Sequence, residues 1–258
     1  MPATIEFAQV DKRFDNGVEA LRALSVAIAP GQFVSLLGPS GCGKSTVLRL
    51  IAGLEQPTAG QVRVDGRPAQ ASGAAMSYVF QEPTLMPWAS VLDNVALPLR
   101  IRGMARRPAR DQAAEALAAV GLADRAAAYP AELSGGMKMR ASLARALITR
   151  PAVLLLDEPF AALDEITRHR LNDELLALWG EQASTAVFVT HSVFEAVYLS
   201  QRVLVMGGPP GRLFADLPVA LGYPRAPPLR LTPQFTQVCR SVTEALQLAE
   251  TGAGSVQP

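Results

Sequence analysis

A chain of 258 residues with 49% hydrophobic and 18% charged side chains can bury a sizeable core, which excludes a disordered polypeptide. Its formal net charge of +1 gives no electrostatic case for a nucleic-acid partner, and none is expected. Two cysteines, Cys42 and Cys239, are too few for a disulfide framework and lack metal-ligand spacing, so a reducing compartment is the expected setting.

The first residues, MPATIEFAQVDKRF, lack a basic-then-apolar pattern, and no signal peptide is expected. The longest uncharged run, Ala23–Gly43, is interrupted by Pro30-Gly31-Gln32 and Gly38-Pro39-Ser40. It reads as strands and turns, with no membrane span. Within it Leu24, Val26 and Ile28 alternate with small or polar neighbours, the period of a half-buried strand. QFVSLLG, AVLLLDE and TAVFVTH are short apolar runs suited to strands of a parallel sheet covered on both faces. Helical patterns separate them, among them Glu165–Gln182 with Leu171, Leu175 and Leu178 on one face. This alternation predicts a doubly wound α/β core.

Between Pro87 and Ala131 the strand signal disappears, and the alanine-rich run from Arg106 reads as helix with Gly121 as its stop. The expectation is a helical insert at about 87–150 within a domain of residues 1–210. Residues 211–258 read as an extension: a strand-like segment, the proline-rich GYPRAPPLRLTP, and a helix over Thr232–Glu250. Thr232-Pro233 would supply its cap and first position, with Phe235, Val238, Val242 and Leu246 facing the core. The sequence has neither an internal repeat nor coiled-coil heptads.

Gly38-Pro39-Ser40-Gly41-Cys42-Gly43-Lys44-Ser45-Thr46 fits G-x-x-x-x-G-K-[ST] directly after an apolar strand. Such a loop turns backbone N–H groups onto phosphate oxygens. Lys44 would reach the β- and γ-phosphates, Ser45 would ligate Mg²⁺, and a helix from about Lys44 through Ile51 would point its positive end at the anion. A bulky thiol reagent at Cys42 is expected to block nucleotide binding. Asp157, leaving a second strand at its carboxyl end, would hold Mg²⁺ through water, with Glu158 as general base. His191 ends a third strand and would hydrogen-bond the γ-phosphate. His169, between two arginines, reads as solvated helix surface. Ser134-Gly135-Gly136 at another helix start forms a second anion-binding turn.

Taken in order, GPSGCGKST, Gln81 in YVFQEP, LSGGM, VLLLDEP, AALD and VTHS resemble the ATPase subunits of ABC transporters over roughly Ile5 to Met206. LMPWASVLDNVALPLRIRG resembles, more narrowly, the ATPases of nitrate/sulfonate/taurine-type bacterial importers. The resemblance implies a P-loop NTPase of the ABC ATPase type: a mainly parallel sheet with flanking helices, an antiparallel β subdomain and the helical insert. It implies that Phe14 stacks on adenine and that Gln81 contacts Mg²⁺ and the attacking water. It also implies that Asp164 crosses to a partner subunit, with helix capping as its simpler role. Ser134, Gly135 and Gly136 would clamp the nucleotide of a second copy of the chain, closing two ATP molecules in a head-to-tail dimer. Met137 stands where glutamine is usual, which puts one polar contact in question. The implied partners are an integral membrane permease and, indirectly, an extracytoplasmic solute-binding protein, with the chain on the cytoplasmic face of the membrane. A soluble ABC ATPase of DNA repair or translation is the alternative; it would usually bring a coiled coil, a zinc module or a second cassette.

Overall fold

The computed structural model describes residues 1–182, 184–223 and 225–251. Pro224 of the expected linker and the end of the expected extension, residues 252–258, lie outside the described residues. Along the chain the strands are β1 (Ile5–Arg13), β2 (Glu19–Ile28), β3 (Phe33–Leu37), β4 (Ala59–Val64), β5 (Arg67–Pro68), β6 (Met76–Val79), β7 (Val153–Asp157), β8 (Thr185–Val189), β9 (Arg202–Gly207) and β10 (Arg212–Pro218). The α-helices are α1 (Lys44–Ile51), α2 (Val91–Ile101), α3 (Arg106–Ala119), α4 (Gly135–Leu147), α5 (Glu165–Gln182), α6 (Val193–Leu199) and α7 (Pro233–Thr251).

Two sheets result. The larger has the order β10-β9-β3-β8-β7-β6 and is parallel except at β10. Every residue of β3 and β8 is buried, as their apolar runs require of strands covered on both faces. The smaller, β2-β1-β4-β5, is antiparallel. It is covered on one face, and β1 accordingly begins by alternating buried Ile5 and Phe7 with exposed Glu6 and Ala8.

Three apolar cores hold these layers together. One packs α5, α6 and α7 on a face of the large sheet around Phe33, Phe188, Leu175 and Phe235. A second joins α1 and the antiparallel sheet to the opposite face through Ile5, Leu21, Leu48 and Val187. The third lies within α2, α3 and α4, around Val95, Leu117 and Ala144. Helix α4 belongs to two of them: Met139 and Leu143 face the sheet, Ala141 and Ala144 the helical cluster. Gly121, at φ +67°, follows the end of α3, where a left-handed residue terminates a helix at little cost.

Thr232 caps α7 as expected, its Oγ1 accepting the Phe235 N–H at 3.2 Å. The buried face of α7 is rotated from the expected one. Phe235, Cys239, Val242, Ala245 and Ala249 are buried, while Val238 and Leu246 are only partly covered. Small side chains win that face because the helix lies close to β9, with Ala249 O 3.3 Å from where a Cβ would stand at Gly207.

Candidate nucleotide site

Topology gathers the polar residues. In the large sheet β8 lies between β3 and β7, and Val189 pairs with both Leu36 and Asp157. The three parallel strands therefore end together. Residues 38–46 after β3, Asp157 and Glu158 at the end of β7, and Thr190-His191 after β8 emerge on one edge, the place where open α/β sheets bind ligands.

The loop before α1 is wrapped tightly by distant chain. A Cβ at Gly43, whose φ is +89°, would stand 2.7 Å from the Ala20 carbonyl, and one at Gly38 would stand 2.6 Å from Met206 O. Only glycine fits either place. A Cβ at Gly211, in the β9–β10 turn, would meet Cys42 O at 2.0 Å. Lys44 is buried, and its ammonium donates to the carbonyls of Gly38 at 2.8 Å and Pro39 at 2.9 Å. Ser40, Gly41, Gly43, Lys44, Ser45 and Thr46 line a cavity of about 370 Å³. Phe14, Val18 and Ala20, from β2 and the connection that leads into it, form its other wall, and Glu158 closes it. Phe14 is half-buried, with Lys12 Nζ 4.9 Å from its ring centre.

Cys42 departs from expectation. Its side chain is fully buried, and burial pushes its thiol above the ordinary range, so a bulky reagent has no direct access to it.

Ser45 Oγ donates to Asp157 Oδ1 at 2.9 Å, and Tyr78 Oη donates to Oδ2 at 2.9 Å. A hydroxyl beside a carboxylate is an oxygen donor pair of the kind Mg²⁺ takes, which binds few protein ligands and keeps several waters. Glu158 holds a left-handed φ of +47°, uncommon outside glycine, with its N–H donating to Val189 O at 3.0 Å. Its Oε2 lies 3.5 Å from Nδ1 of the exposed His191. Behind His191, Thr190 Oγ1 donates to the buried Glu195. Burial pushes the Glu195 carboxyl up, and this hydroxyl offsets part of the shift.

Other expected residues stand apart. Ser134 caps α4, its Oγ accepting the Met137 N–H at 3.3 Å, and Gly135 and Gly136 follow it. Asp164 caps α5 by accepting the Thr167 N–H at 3.0 Å, a bond that lowers its carboxyl pKa. Ser134, Gly135, Gly136, Met137 and Asp164 line a cleft of about 370 Å³ that has Arg140 and Arg170 among its walls. No lining residue is common to this cleft and the Lys44 cavity among the described residues. Gln81 is exposed and lines neither. His169 is half-buried rather than solvated, because the segment around Arg230 lies against it and Arg230 donates to its carbonyl at 3.3 Å.

Two residues escaped the sequence reading: Tyr78, on Asp157, and Arg145. The Arg145 guanidinium donates to Pro83 O at 3.0 Å and to Thr84 O at 2.9 Å, tying the segment after Gln81 to α4.

Residues 21–161 match the family described as ABC transporter. The chain belongs to that family. It is 45% identical to a putative ATP-binding protein of Brucella abortus, over 95% of this chain and 94% of that one. It is 42% identical to a taurine import ATP-binding protein of Rhizobium johnstonii, over 92% and 93%. An ATP-binding cassette solved as a dimer in a post-hydrolysis state with ADP and Pi is similar in structure, with TM-score 0.76 and 31% identity over 84% of this chain and all of that one. The ABC ATPase fold expected from the sequence is the fold found.

Proposed function

We propose that this chain is the ATP-hydrolysing subunit of a binding-protein-dependent ABC importer, working as a head-to-tail pair with two ATP molecules between its copies. The observation that carries the pairing is the separation of the two clefts. The Ser134-Gly135-Gly136 turn presents a hydroxyl and helix N–H groups to a space that the Lys44 cavity does not reach. A second copy is what brings the two together.

In this reading the phosphates replace the carbonyls of Gly38 and Pro39 as partners of Lys44, while Phe14 takes the adenine. Ser45, Asp157 through water, and Gln81 would hold Mg²⁺, which would supply positive charge beside the phosphates. Glu158 takes a proton from a water as its oxygen bonds to the γ-phosphorus and the β,γ-bridging P–O bond breaks. His191 steadies that water or the γ-phosphate. Lys44, the amino end of α1 and the other copy's Ser134 turn share the developing charge. Asp164 would cross to the second copy while still capping α5.

We take residues 1–210 as the ATP-binding domain, with the helical insert at about 87–150, and 211–258 as an extension. The separate apolar core of α2, α3 and α4 supports treating the insert as a unit. It would carry closure of the pair to a membrane permease through a groove near Gln81, with an extracytoplasmic binding protein delivering a small solute of the nitrate, sulfonate or taurine type. The taurine import relative supports the sulfonate-bearing end of that range. Among the described residues no helix is long and apolar enough to cross a membrane, which fits a peripheral subunit held at the cytoplasmic face by its permease.

The test mixes two inactive variants, Lys44→Ala and Ser134→Arg. A mixed pair keeps one intact composite site, so ATPase activity should reappear on mixing. A mixture as inactive as its components overturns the shared-site arrangement.

A further inference from the structure

Asp157 is gripped from two sides. Ser45 reaches Oδ1 from the nucleotide side, while the Tyr78 hydroxyl, on the neighbouring strand β6, reaches Oδ2 at 2.9 Å. The remainder of Tyr78 points elsewhere in the fold. Its ring stacks on Phe80, with centroids 4.3 Å apart and planes at 23°, and Phe80 directly precedes Gln81. Tyr78 also lines a groove of about 370 Å³ walled by Leu97, Pro98 and Ile101 of α2 and by Arg145 of α4. The Tyr78 side chain thus joins the segment leading to Gln81 to the carboxylate at the end of β7.

We propose that Tyr78 is a positioning residue that sets the Asp157 carboxylate for the metal. The proposal rests on reading Asp157 as a metal-holding group. A carboxylate can rotate about its last bond. With Oδ2 held by a hydroxyl, Oδ1 stays directed at Ser45, where the cation would sit, and the arrangement needs no reorganisation on binding.

The substitution Tyr78→Phe retains the ring and its stack and removes only the hydroxyl. Mn²⁺ serves as the probe, its binding to the ATP-loaded protein read by electron paramagnetic resonance. Affinity should fall about tenfold, the lower end of what losing a hydrogen-bond partner of a metal-holding group costs. ATP affinity measured in EDTA, and the melting temperature, should match the parent. Asp157→Asn is the reference and should lose Mn²⁺ more severely. Loss in Asp157→Asn with none in Tyr78→Phe overturns the positioning role and leaves Asp157 as read. Parental Mn²⁺ binding in Asp157→Asn overturns the reading of Asp157, and the role of Tyr78 with it. A Tyr78→Phe protein that also loses ATP affinity in EDTA has a packing fault instead, which overturns the proposal too.

Discussion

Glu158 combines a conformational demand with a chemical one. Its left-handed backbone directs the side chain into the Lys44 cavity while its neighbour Asp157 meets Ser45. Strain of this kind persists only where surrounding contacts impose it, here the bond to Val189 O. Glu158→Gln keeps the size and the backbone bond but cannot accept a proton. Steady-state hydrolysis should fall by roughly 10²–10⁴ or more, with ATP binding retained in a direct titration. Near-parental turnover would remove Glu158 from the chemistry. Asp157, Glu158 and His191 were legible in the sequence because each ends an apolar run, a pattern confined to a few neighbours. Tyr78 and Arg145 were not. Tyr78 acts on a carboxylate 79 positions away and Arg145 on carbonyls 61 and 62 positions away, and no local pattern marks either.

Helices α5 and α1 were readable almost to the residue. Helix α5 spans Glu165–Gln182 and α1 spans Lys44–Ile51, as their apolar spacing and preceding turns predict. Strands β4 and β6 carry no strand signal in the sequence. In β4 the buried residues are Val62 and Val64 alone, and β6 has only Val79 fully buried, so neither makes a run. Their partners in the sheets, β1 and β7, define them. Helix α7 was readable as a helix but not by face, since Cys239, Ala245 and Ala249 carry little hydrophobic weight in a sequence yet suit a close approach to β9. Its anchor is Phe235, 1% exposed and 6.0 Å from the ring of Phe194. Phe235→Ala should destabilise the protein by about 3–5 kcal/mol, read from the midpoint of urea unfolding. A loss below about 1 kcal/mol, the ordinary cost of a surface change, would mean that α7 is dispensable to the core.

At the scale of the whole molecule, the proposed pairing would make activity a property of two copies. ATPase activity per chain should fall on dilution, while ATP binding to the isolated Lys44 cavity stays constant. Measuring turnover and fluorescent-nucleotide binding across the same dilution series separates the two. Constant activity per chain into the range where sedimentation finds only monomers would rule out the paired mechanism. In the sequence, the pairing of Ser134-Gly135-Gly136 with a second copy rests on the resemblance to ABC transporter ATPases; that its cleft and the Lys44 cavity share no lining residue needed the fold. The bracing of the phosphate loop has a further consequence, for the order in which the protein is made. Residues 38–46 leave the ribosome early, yet Met206 and Gly211 form part of their surroundings. A nascent chain that has emerged only as far as its middle has spelled out the loop without the walls that shape it. The loop's full surroundings are therefore complete only once the chain as far as Gly211 has emerged.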